Sequence, residues 1–198
     1  MQARFDYPVF LNLQGRFCLV VGGGAVALRK TKDLLACGAK VRVVSPQWIE
    51  GFQRLARSKK IQWSRRPFHP ADLKKSWLVI AATDDAQVQR QVAQEAARKK
   101  IWANVVDQPG ACSFIVPSVV RRGKLRLAIS TGGISPALAQ WIRKDLMRHY
   151  GPQWGRLLNG MKRMRGKVLR NVAQPSRRKR LFKKALDAYI QTLQERLK

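Results

Sequence analysis

Acidic residues are scarce in this chain of 198 residues: 11 Asp and Glu stand against 40 Lys and Arg, a formal net charge of +29. Such an excess usually marks a polyanionic partner, and it leaves nucleic acid open as one. A solvated basic surface without a partner would have the same composition. Cysteine is also sparse. Cys18, Cys37 and Cys112 are odd in number and lack metal-type spacing, which argues against a disulfide framework and suits a reducing cytoplasm. Two histidines, His69 and His149, are too few and too far apart for a His-based metal cluster, so no resident metal is expected. No apolar run approaches the roughly 20 residues of a membrane span. The opening MQARFDYPVFLNLQG lacks the basic, apolar and small-residue order of a signal peptide. A cytoplasmic protein without membrane contact is the expectation. Ser-His-Asp, Walker, helix-turn-helix and RRM signatures are all absent.

What is present is a glycine turn in a telling context. Five apolar residues, Phe17 to Val21, run into Gly22-Gly23-Gly24 and then into a helical pattern carrying Val26, Leu34 and Leu35. Gly22, Gly24 and Ala27 fit the spacing G-x-G-x-x-A. The first position permits the strand-to-helix turn, the second lets a pyrophosphate reach backbone N–H groups, and the third allows the helix to pack closely on the strand. A second strand, KVRVVS (Lys40 to Ser45), completes a βαβ unit, the context this motif requires. The acid that would hold an adenosine ribose is missing. Ser45, Pro46 and Gln47 stand at that strand end, so a dinucleotide is expected while NAD versus NADP stays open.

The alternation continues along the chain. Trp48–Arg57 reads as a helix, Lys60–Arg66 as a short strand and His69–Lys75 as a capped helical turn. Trp77–Thr83 reads as a buried strand, Asp85–Lys100 as a helix with Val88, Val92 and Ala96 on one face, and Ile101–Val106 as another strand. This predicts a Rossmann-type doubly wound parallel α/β sheet over residues 1–112. Residues 113–150 then read as two strands joined through Arg121-Arg122-Gly123, followed by a glycine turn and a helix beginning near Pro136. Their apolar Phe114, Ile115, Val116, Val119 and Val120 suggest a homodimer interface. Residues 151–198 read as a basic helical domain broken around 171–180. Its expected core is Leu157, Leu158, Met161, Leu181, Leu186, Ile190 and Leu193. From residue 143 onward the chain holds 17 basic and 3 acidic side chains, about half the charge excess in under a third of the length.

In an open parallel sheet, ligands bind beyond the carboxyl ends of the strands. The clusters expected there are Gly22 to Val26 (with Ala25), Thr83-Asp84-Asp85, and Asn104 to Pro109. Asp84 or Asp85 also serves as a helix N-cap. Thr83 and Asn104 are candidates to line the cofactor crevice. Asp107 follows a buried strand and precedes a Pro-Gly turn with no helix to cap, so it is a candidate general base.

Four stretches, Tyr7–Pro46, Trp77–Asp85, Asn104–Gly123 and Leu127–Leu146, resemble in order the signatures of the precorrin-2 dehydrogenase and sirohydrochlorin ferrochelatase family, which includes that part of sirohaem synthase. The resemblance implies NAD-dependent oxidation of precorrin-2, with Fe2+ insertion in some members, Fe2+ being a substrate there. It implies a Rossmann domain, a small dimerisation segment and a C-terminal helical domain in an interlocked homodimer. The family's critical aspartate falls on Asp107, and the serine phosphorylated in some members falls on Thr131 here. No methyltransferase domain follows in these 198 residues, so a separate methyltransferase would supply the substrate. A basic cleft suits a tetrapyrrole rimmed by carboxylates. The other reading is a non-catalytic nucleotide-sensing or nucleic-acid-binding protein on a Rossmann scaffold, favoured by the charge and by PSRRKR. Against it, no aromatics interleave with that basic run.

Overall fold

The computed structural model describes residues 7–195. It divides into two compact units, the first ending at Val116 and the second beginning at Pro117. The sequence reading draws three segments, with boundaries after 112 and 150. The first boundary moves because residues 111–114 are part of the first unit's sheet edge, as described below. The second disappears because the hairpin and the helices that follow it share one packing unit.

The first unit contains β1 (Phe17–Val21), α1 (Ala25–Ala36), β2 (Lys40–Val44), α2 (Gln53–Arg57), β3 (Ile61–Ser64), β4 (Leu78–Ala81), α3 (Ala86–Arg98) and β5 (Trp102–Val105). The strands pair in parallel in the order β3-β2-β1-β4-β5, so the order reverses between β1 and β4. The strands are continuously apolar because both faces are covered. Cys18, Val20, Val41, Val43, Leu78 and Ile80 pack with Ala27, Leu34 and Phe52 on one face. Leu19, Val21, Val44, Val79, Ala81, Ala103 and Val105 pack with Val92 and Ala96 on the other. Each wholly buried valine, such as Val20 or Val79, contributes roughly 1.5–2 kcal/mol through burial.

Several expectations shift in detail. Trp48–Arg57 is a 3-10 turn, Glu50–Phe52, leading into the short α2. His69–Lys75 is a single 3-10 turn, Pro70–Leu73, closed by a reciprocal cap between His69 and Asp72. Phe114 packs on the first unit's core and meets Trp102 edge-on, so it belongs to the sheet rather than to a separate interface segment.

The second unit holds an antiparallel hairpin of β6 (Ser118–Arg122) and β7 (Leu125–Ile129), then α4 (Pro136–His149), α5 (Pro152–Asn171) and α6 (Pro175–Glu195). Arg121 and Arg122 lie in β6, and the turn is Gly123-Lys124. Arg122 donates to the carbonyls of Tyr150 at 2.6 Å and Met147 at 3.2 Å, closing the end of α4. Gly155 seats α5 on that hairpin: a Cβ there would lie 2.8 Å from the Arg122 carbonyl oxygen. Residues 172–174 alone break α5 from α6. The two helices run antiparallel, with Arg165 over Phe182 and Gly160 facing Tyr189. Leu157 is buried there, Leu158, Met161, Leu181, Leu186 and Ile190 are half-buried, and Leu193 lies outside the residues whose side chains are described.

Candidate active site

The carboxyl edge of the parallel sheet collects the loops that follow its strands. After β1, Gly22 takes φ 123 and donates from N to Val44 O at 3.0 Å. A Cβ at Gly22 would lie 2.1 Å from Ala82 O, and one at Gly23 would lie 1.9 Å from Gln47 O. These two glycines therefore let three loops touch. Gly23 was not singled out by the spacing motif, and its reason is this close backbone approach. Gly24 differs. It is the N-cap of α1, and a Cβ there would meet nothing within 4 Å.

No side chain caps α1, and no acid stands in its first turn. By contrast, Asp85 caps α3 by accepting from Gln87 N and Val88 N, at 2.8 and 3.1 Å. The Gly24-Ala25-Val26 segment thus offers uncapped N–H groups, partial positive charge and open space, which fits the pyrophosphate of a dinucleotide. Ala25 is exposed and Val26 half-buried beside it.

At the end of β2, Ser45 is buried and donates from Oγ to Gln47 O, while Trp63 Nε1 donates to Ser45 O at 3.0 Å. Trp48 stacks between Trp63 and Phe52, with centroids 3.5 and 5.3 Å away. The Ser45-Pro46-Gln47 loop is therefore pinned by an aromatic stack that period and propensity do not reveal. Thr83, half-buried, accepts from Asp85 N at 3.3 Å.

The loop after β5 carries Asp107. Its backbone takes φ 60, the left-handed region that a non-glycine residue seldom adopts. The exposed carboxylate makes no hydrogen bond or ion pair with any described residue. A 3-10 turn, Pro109–Ala111, does follow, but Gln108 occupies its N-cap position, so Asp107 does not cap it. Gln89, buried on α3, fixes this loop: it donates from Nε2 to Thr83 O at 2.7 Å and accepts from Gln108 Nε2. A lone polar side chain beside the apolar stripe of Val88, Val92 and Ala96 was the available signal for it.

Asn104 is buried and donates to Phe114 O at 3.1 Å. Cys112 Sγ accepts from Val105 N at 3.1 Å, and Ser113 Oγ accepts from Ala103 N at 2.7 Å. These side chains satisfy the open edge of β5. Burial pushes the Cys112 thiol up, which leaves it protonated near neutral pH. In the second unit, Thr131 Oγ1 accepts from Ser135 N at 3.1 Å ahead of α4. Among the described residues, no three of His, Cys, Asp and Glu gather as a metal-holding group. Nor is any helix among them long and apolar enough to cross a membrane.

A parallel sheet of this order, with a bare helix N-terminus and an unpaired carboxylate at its switch-point edge, defines a dinucleotide-binding protein of the Rossmann class. Residues 9–118 match the family described as "Putative NAD(P)-binding", and residues 122–149 match "Sirohaem biosynthesis protein central". The chain belongs to the first of these, the NAD(P)-binding family. It is 38% identical over 183 residues to a sirohaem synthase of Nitrosococcus oceani, covering 92% of this chain and 39% of that one. To a sirohaem synthase of Methylobacillus flagellatus it is 45% identical over 150 residues, 76% of this chain and 32% of that one. The chain thus spans about two fifths or less of the curated relatives it matches. The solved structure of SirC, a precorrin-2 dehydrogenase, superposes with a TM-score of 0.78 at 27% identity, covering 96% of this chain and 99% of that one.

Proposed function

We propose that this chain oxidises precorrin-2 to sirohydrochlorin with NAD. The observation that carries the reading is the pairing, on one sheet edge, of the uncapped Gly24-led helix with the unpartnered Asp107. The likeness to SirC over the whole length supports the choice of substrate.

A bound nicotinamide supplies the hydride acceptor. Gly22, Gly24, Ala25 and Val26 would hold its pyrophosphate, Ser45, Pro46 and Gln47 its adenosine end, and Thr83 and Asn104 the wall of the crevice. Loss of two hydrogens from precorrin-2 releases a proton as well as a hydride. Asp107, which makes no hydrogen bond or ion pair with any described residue, takes that proton or orients the macrocycle while it leaves. For Fe2+ as a second substrate, the same carboxylate would accept pyrrole protons as the metal enters. Exposed cations draw in the polyanionic tetrapyrrole, with strong salt dependence.

In this reading the enzyme works in the cytoplasm as a homodimer. Exposed Ile134, Leu138 and Trp141, one of them a loop residue and two on one face of α4, support pairing through residues 113–150. Sedimentation showing only monomer at micromolar concentration would remove the dimer. The non-catalytic alternative is disfavoured by the relatives' names and by the site.

The deciding experiment is anaerobic incubation with precorrin-2 and NAD, then with NADP, followed by Fe2+. Sirohydrochlorin formed with NAD supports the proposal. Tight, salt-sensitive oligonucleotide binding with no response to NAD would replace it.

A further inference from the structure

Arg65 is the first residue beyond β3, and a chain of contacts that begins at the glycine turn fixes its place. Ile49 N donates to Gly23 O at 2.9 Å, tying the loop after β2 to that turn. At the other end of the loop, Ser45 N donates to Ser64 O at 3.2 Å, and Trp63 Nε1 donates to Ser45 O at 3.0 Å. Val44 and Ser64 are the last partners in the register of β2 and β3, so Ser45 and Arg65 leave the sheet side by side. The two-residue period of a strand puts Arg65 on the face of Trp63, and Ser45 on the face of Val43, the register partner of Trp63. That is the face α1 covers through Ala27 and Leu34. The Arg65 guanidinium carbon lies 5.7 Å from the centroid of the Trp63 ring.

The neighbouring arginines have other employment. Arg66 donates to both oxygens of Asp72, at 2.8 and 2.5 Å, and Arg42 lies 3.9 Å from the same carboxylate. Arg65 is exposed and makes no hydrogen bond or ion pair with any described residue. Between Gly38 and Pro70 the sequence has one acid, Glu50, which lies beyond Trp48 in the 3-10 turn Glu50–Phe52. Ser45 is buried, with its hydroxyl proton committed to Gln47 O. The strand end where a carboxylate would meet an adenosine ribose thus presents an unpaired guanidinium. A carboxylate there accepts from the 2′-hydroxyl and repels a 2′-phosphate. A guanidinium does the reverse, because its planar fork of N–H donors matches phosphate oxygens.

We propose that Arg65 determines specificity at the adenosine end, and that the site takes the 2′-phosphorylated dinucleotide, NADP, at least as well as NAD. This deepens the cofactor part of the reading above. It rests on the dinucleotide site and not on precorrin-2.

Calorimetry on the whole chain, with NAD and NADP titrated separately and no precorrin-2 present, tests it. The unaltered chain should bind NADP at least as tightly as NAD. Arg65→Gln should weaken NADP about tenfold or more while changing NAD less than about threefold, since only the 2′-phosphate loses its charge-assisted hydrogen bonds. Arg65→Lys keeps the charge but not the fork and should retain part of the NADP affinity. Adenosine 2′,5′-bisphosphate against AMP should show the same dependence on Arg65, and the melting temperature should stay level because the side chain is exposed.

NADP bound about tenfold or more weakly than NAD by the unaltered chain would overturn the proposal and leave NAD-dependent oxidation intact. Equal weakening of both dinucleotides in Arg65→Gln would also sink it, by giving Arg65 the role of a support for the Trp63 stack. If the Arg65-dependent preference appears but neither dinucleotide oxidises precorrin-2, the oxidation reading fails and the 2′-phosphate site stands.

Discussion

The two ends of the parallel sheet use the same uncommon backbone conformation for different purposes. At the amino end every strand is entered through a left-handed residue: Gly15, Gly38, Lys59, Lys75 and Lys100, with φ between 53 and 80. Most of these close a preceding helix or turn, as where Lys100 N donates to Ala97 O and Ile101 N to Ala96 O. At the carboxyl end only Gly22 and Asp107 adopt positive φ. Even the shallow cleft of about 480 Å³ at the amino end, lined by Lys74, Lys75 and Lys99, is partly satisfied internally. Lys99 Nζ donates to Pro70 O at 2.8 Å and pairs with Glu95 at 3.4 Å. The amino end is finished by its own hydrogen bonds. The carboxyl end leaves a helix N-terminus and a carboxylate for something else to complete.

The largest effect that could break this contrast is at Asp107. Asn keeps the size and one acceptor but can neither carry charge nor take a proton. Asp107→Asn should lower precorrin-2 turnover by roughly 10²–10⁴-fold, with NAD binding and melting temperature nearly intact. Near-normal dehydrogenation by the folded variant would remove Asp107 from the reaction. Loss of Fe2+ insertion alone would assign it to chelation.

Neighbouring glycines give the next test. Gly24→Asp puts a carboxylate into open space at the α1 N-terminus, so the fold should survive while NAD affinity falls by roughly 10² or more, as calorimetry would record. Gly23→Ala should fail in the opposite sense, because its Cβ collides with Gln47 O. A stability loss of at least about 2 kcal/mol by denaturant titration is expected, whether or not cofactor is present. Equal behaviour of the two variants would mean the turn is not divided between packing and binding.

A second carboxylate sharpens the meaning of an unpaired Asp107. Asp72 is buried, accepts from Arg66 at 2.8 and 2.5 Å and from His69 N at 2.9 Å, and has Arg42 at 3.9 Å. Burial alone would raise its pKa, but these hydrogen bonds and charges together hold it below the usual carboxylate range. A depressed folded value means stability that is present at neutral pH and fades as pH falls through it, below roughly pH 4. Asp72→Asn should therefore cost about 2 kcal/mol at pH 7, the difference shrinking towards pH 3. A pH-independent difference would show that packing, not charge, is what Asp72 contributes.

The sheet, its order of elements and the glycine turn were legible because period and turn chemistry are local properties. Gly22, Gly24 and Ala27 announce the turn through spacing, and unbroken apolar strands announce two covered faces. What was not legible arises from contacts distant in sequence. Gly23 depends on Gln47, the Ser45 loop on Trp63, and the Asp107 loop on Gln89. The cysteine read only for its redox meaning, Cys112, seals the edge of β5. Asn104, expected in the crevice, also holds Phe114 O, a partner ten residues on that no motif indicates.

The smallest expected effect tests whether left-handed residues at the two ends differ in purpose. A non-glycine residue in this region bears a steric cost of roughly 1–2 kcal/mol, part of which glycine gives back by loosening the unfolded chain. Lys100 sits at the C-terminal cap of α3, where the backbone bonds, not the side chain, do the closing. Lys100→Gly should therefore stabilise the protein by roughly 0.5 kcal/mol, raising the melting temperature slightly with turnover unchanged. Asp107→Gly relieves the same strain and should also leave stability equal or slightly higher, yet it should abolish the Asp107-dependent rate. A gain in stability with loss of rate at Asp107, against a gain without loss at Lys100, is what a functional left-handed residue predicts. If Lys100→Gly destabilises instead, its side chain holds the cap, and the amino end is less self-sufficient than its hydrogen bonds indicate.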